Sequence, residues 1–91
     1  MTTLPDEEIK AIVKMAAAAN NIPAHAISTS PMMDSSGHEA IEVVISIPPG
    51  TSHQIVGRSS ARTVVEIIRR LADAGEERFP IIQFGEMSSA S

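Results

Sequence analysis

A chain of 91 residues with 7 basic and 11 acidic side chains, a net charge of −4 and no cysteine has room for one hydrophobic core, burying about 60–65% of the surface its unfolded chain exposes. Without thiols there is no disulfide framework, no thiolate metal site and no cysteine nucleophile, and the negative balance has the wrong sign for gripping duplex DNA through the overall field. Phe79 and Phe84 are the only aromatic residues, so the stacking platforms common among single-strand binders are not available.

The opening "MTTLPDEEIK" is acidic where a secretory signal would be basic, and no later apolar run approaches the roughly 20 residues that span a bilayer. The expectation is a cytoplasmic protein with no membrane partner. Pro5 followed by Asp6, Glu7 and Glu8 predicts a helix start, because proline suits the first turn and acids favour the positive end of the helix dipole. Ile9, Ile12, Val13 and Ala16 recur on one face of that helix, with Lys10 and Lys14 off it. Asn20 or Asn21 suits a left-handed helix end, and Pro23 prevents continuation.

Ile27 and Thr29 suit a strand that Pro31 either ends or confines to a sheet edge. Met32 and Met33, in a loop beside Pro31, read first as gap-fillers for the core and otherwise as adaptable contacts for a partner. Asp34, two serines and Gly37 form a turn cluster fitting a long hairpin connection. The best strand follows: Ile41, Val43, Ile45 and Ile47 alternate with Glu42 and Ser46 until Pro48-Pro49-Gly50 stops them. "GTSHQIV" suits a short helical turn before Gly57. A long helix is expected from Ser59 or Ser60 to Ala74, with Ala61, Val64, Val65, Ile68, Leu71 and Ala72 as its apolar stripe and Gly75 just past its end. "FPIIQF" reads as the last strand, Ile82 and Phe84 sharing one face and Ile81 taking the other. Residues 1–86 are expected to make one α+β domain and 87–91 a flexible tail.

Charge is unevenly spread. From Gly57 to Leu71, Arg58, Arg62, Arg69 and Arg70 stand against Glu66 alone, a local +3 in a chain whose remainder holds −7. The stretch "HQIVGRSSARTVVEIIRRL" places Gly57, Arg58, Ser59 and Ser60 in front of the long helix. The serines there serve either as a plain N-cap or, with the unpaired first-turn N–H groups and the dipole, as part of an anion site. Glu66 lies four residues from both Arg62 and Arg70 and can pair with either. His25, His38 and His53 are too scattered for a metal motif. Glu76 and Glu77, after the helix, read as a solvated turn. No nucleophile, metal cluster, cofactor motif or acid–base pair is legible.

The run "IPPGTSHQIVGRSSARTVVEII", from Ile47 to Ile68, resembles the core of a KH domain, and the order of elements resembles the type II arrangement of that family. The resemblance implies two main helices on one face of a small three-stranded mixed sheet, in the order α-β-β-(α)-α-β. It also implies a loop of Gly57, Arg58, Ser59 and Ser60 that clamps a nucleic-acid backbone, Ile55 and Val56 belonging to the short helix beside it. Ser60 stands where the family's loop carries a second glycine. The functional expectation is a non-enzymatic module binding RNA or another phosphate-bearing ligand through Gly57, Arg58, Ser59 and Ser60, with Arg62 assisting. The alternative is a protein-interaction or homodimerisation domain using the open face of the sheet.

Overall fold

In a computed structural model describing residues 3–48 and 58–86, the first helix, α1, runs Asp6–Ala19. Pro5 precedes it, and its carbonyl accepts from the N–H groups of Glu8 and Ile9 at 3.0 and 3.1 Å. Asp6, Glu7 and Glu8 occupy the first turn, where the dipole favours them. At the other end Asn21 takes the left-handed conformation, φ 60°. Ile22 N–H then reaches back to the Ala17 carbonyl and Asn21 N–H to that of Ala18, so two otherwise orphaned carbonyls are satisfied and the buried Ile22 is turned into the core.

Strand β1 is Ala26–Met33 and β2 is Glu39–Ile47, paired antiparallel with Thr29 opposite Val43. A tight turn joins them. Asp34 and His38 close it through Asp34 N–H to the His38 carbonyl (2.9 Å), and Gly37 supplies the positive φ of 83° that the last turn position demands. The Asp34 carboxylate accepts from the Ser36 and His38 N–H groups, both at 2.9 Å, and those bonds, His38's foremost, hold its carboxyl below the usual range.

β1 does not stop at Pro31, and the reason lies in the ladder. Asp34 and His38 face each other as a hydrogen-bonded pair, so by alternation the even residues of β1 bond to β2 and the odd ones point their polar groups away from it. Pro31 therefore places its missing N–H on the outer edge, where no ladder bond is lost. Met32 and Met33 consequently lie in the strand and are exposed, not in the core as expected.

The second helix, α2, is Arg58–Asp73, and the last strand, β3, is Phe79–Glu86, parallel to β2. The sheet order is β1-β2-β3. This is the expected α+β arrangement of two helices and a three-stranded mixed sheet; the short helix expected before Gly57, Gly57 itself, His53 and the tail 87–91 lie outside the described residues. Ile41, Val43, Ile45 and Ile47 are buried as their alternation predicts, against Ile9, Val13, Ala16 and Ala17 of α1 and Ile67 and Leu71 of α2.

The stripe of α2 differs from expectation. Its buried residues are Thr63, Ile67 and Leu71, with Val64 and Ile68 half-buried, while Ala61, Val65 and Ala72 face outward. The helix is rolled about a quarter turn from the orientation its valines and alanines suggest, because Thr63, polar by composition, packs as a β-branched core residue. Gly75 does end the helix, at φ 103°, with Glu76 N–H donating to the Leu71 carbonyl and Gly75 N–H to that of Ala72.

Glu76 is not part of a solvated turn. It is 6% exposed, and its carboxylate accepts from Leu4 N–H (3.0 Å), Arg78 N–H (2.9 Å), Arg78 Nε (2.9 Å) and Arg78 Nη2 (2.9 Å). The bidentate guanidinium and the two backbone donors stabilise the charged form so strongly that its pKa falls to about 2 despite burial. The bond to Leu4 ties the chain ahead of α1 to the segment ahead of β3.

Candidate anion-binding groove on the second helix

α2 begins at Arg58, one or two residues earlier than its sequence suggests, so Arg58, Ser59 and Ser60 form the helix's first turn. This turn lies at the positive end of the helix dipole. Ser60 is half-buried and already holds an interaction of its own. Arg62 follows one turn later and is exposed.

Helical geometry then gathers residues that the sequence scatters. Arg62, Val65 and Arg69 recur at i, i+3 and i+7 on one face, and with Ala61, Glu66 and Asn20 they line a groove of about 480 Å³ between α2 and the end of α1. Val65 is 57% exposed in that groove. Asn20 enters from α1, its amide nitrogen donating to the Ala16 carbonyl at 2.9 Å. Glu66, the acid of this lining, is paired with Arg70, its Oε2 accepting from Arg70 Nε at 3.1 Å. Among the described residues neither Arg62 nor Arg69 has a carboxylate within ion-pair distance.

Arg62 was readable from its spacing after Arg58. Arg69 was missed as a site residue although its i+7 relation to Arg62 is a plain helical signal; Asn20 carries no signal, since only the packing of α1 against α2 brings it there. A phosphate would sit nearer Arg62 than Asn20, because the end of α1 presents the negative end of its dipole. Among the described residues no three His, Asp or Glu side chains cluster as a metal site would require, and no helix is long and apolar enough to cross a membrane.

No family model and no curated protein matches the chain. A solved structure described as a candidate zinc transporter, CzrB, is similar in fold, with a TM-score of 0.53 across 93% of this chain and 99% of that one, at 19% identity. At that identity the likeness is one of fold, and the α+β class is what the two chains share.

Proposed function

We propose that this chain is a non-enzymatic binding module of the KH kind its element order resembles, taking single-stranded RNA or another phosphate-bearing ligand along the first turns of α2. The observation that carries the reading is the pair Arg62 and Arg69, without a carboxylate partner among the described residues, on one groove while Glu66 is engaged by Arg70. Gly57 would let the ligand backbone approach, the positive end of the helix dipole at the turn of Arg58, Ser59 and Ser60 would attract a phosphate, and Arg62 and Arg69 would neutralise the next. Val65 offers the apolar surface on which a base can rest where no aromatic is present. The proposed setting is the cytoplasm.

The test is binding of a labelled single-stranded RNA across a salt series. Wild type binds at low salt, and each of Arg58→Glu, Arg62→Glu and Arg69→Glu weakens binding and flattens the salt dependence by about 0.7 in log K per log salt, the value for one lost phosphate contact. Glu66→Gln, which removes the acid of the groove and releases Arg70, does not weaken binding. Absence of binding by wild type at low salt overturns the proposal.

A second reading, a protein-interaction or homodimerisation surface on the open sheet face, is favoured by a different observation. Met32 and Phe79 are 39% and 61% exposed on that face and flank Ala40, which is 1% exposed.

A further inference from the structure

The outer edge of β1 carries a second candidate site, independent of the arginine groove. β1 is an edge strand, and among the described residues nothing pairs with its free side. By the alternation fixed at Asp34 and His38, Ile27 and Thr29 direct both N–H and C=O outward, and Pro31 directs a carbonyl alone. The proline closes the downstream half of the edge to a ladder and leaves Ile27 and Thr29 in a stretch without a charged side chain, while just ahead of it His25 N–H is taken by the Ser46 carbonyl at 2.7 Å.

Beside this open stretch lies a groove of about 310 Å³ between α1 and the start of β1. Lys10 and Lys14 of α1 form one wall, Ala24, His25 and Ile27 the other, and Glu7 marks one end. Both lysines are exposed, and among the described residues neither has an ion-pair partner. They are four residues apart on a helix, about 6 Å along its axis. In an extended chain, side chains on one side recur every second residue, about 6.5 Å apart. Carboxylates on alternate residues of an extended segment therefore have the spacing of Lys10 and Lys14, and its backbone would meet the polar groups of Ile27 and Thr29.

We infer that this groove and edge together dock an acidic, extended segment of a protein partner by strand addition to β1. The free edge sets the chemistry: it offers donors and acceptors at the repeat of a polypeptide backbone, which a nucleic-acid chain does not present. The lysines set the charge, supplying a local positive surface in a chain that is acidic overall.

The probe is a fluorescein-labelled octapeptide of alternating glutamate and threonine, compared with its lysine-threonine counterpart. The acidic peptide is expected to bind in a salt-sensitive manner and the basic one not to bind. On binding, amide hydrogen exchange slows at Ile27 and Thr29. Lys10→Glu with Lys14→Glu weakens binding by about tenfold or more, some 1.4 kcal/mol, and because both residues are exposed the fold survives. Arg62→Glu leaves it unchanged, so the RNA reading and this one fail separately. Equal binding of the two peptides, protection confined to α1, or displacement of the peptide by single-stranded RNA would each overturn the inference.

Discussion

Glu76 accepts one bond from Leu4, far away in the chain, and three from Arg78, and its behaviour with pH follows from these four. Its folded pKa of about 2 lies below its ordinary value of 4.5, so the unfolded chain takes up the proton first as pH falls. The stabilisation is thus fully present above about pH 4.5 and is lost as pH drops toward 2. A displacement of that size corresponds to roughly 3 kcal/mol. Glu76→Gln removes the titration and turns amide hydrogens toward a guanidinium and two backbone donors. At neutral pH the variant should be less stable by about 3 kcal/mol or more, and the gap should close through the acidic range. Urea unfolding of both proteins from pH 7 to pH 2 checks this; parallel curves would mean the carboxylate is not the hub its contacts indicate.

At the scale of elements, β2 was legible because a two-residue period of isoleucine and valine admits one solution, and both helix ends were legible because Asn21 and Gly75 are residues that tolerate a positive φ. The roll of α2 was not legible from apolar letters alone: its buried positions include Thr63, and several alanines and valines lie on the outer face. Glu76 was illegible for another reason, since one of its partners, Leu4, is 72 residues away. The observed roll makes a sharp contrast between neighbours. Ile67, fully buried, should lose about 2–5 kcal/mol on truncation to alanine, whereas Val65→Ala, on the exposed face, should stay within about 0.5 kcal/mol of wild type. Denaturant midpoints of the two variants measure it; the reverse order would restore the stripe suggested by sequence.

The whole molecule divides its surface by layer, and this division separates the readings of its function. The described lysines, and the arginines of the groove, stand on the helices, whereas the open sheet face carries rows of cross-strand neighbours: Met32, Ala40 and Phe79, then Ser30, Glu42 and Ile81. Half of this division was in the sequence, where Ile81 takes the face opposite Ile82 and Phe84, and Val44 falls between the core-facing Val43 and Ile45. The other half needed the register, which sets Phe79 and Met32 on either side of Ala40. An apolar row of this kind is stabilised by removing it from water, at about 25 cal/mol per Å² covered, and Glu42 in the next row confines the contact to one end of the face, since burying its carboxylate unpaired would oppose association. If the face joins two copies of this chain, sedimentation across a wide concentration range should show mass rising with concentration. Phe79→Lys and Val44→Asp should hold the chain monomeric, and the arginine variants of α2 should leave association untouched. A chain that stays monomeric at every concentration, with Phe79→Lys indistinguishable from wild type, removes the homodimer reading and leaves the helix layer to account for binding.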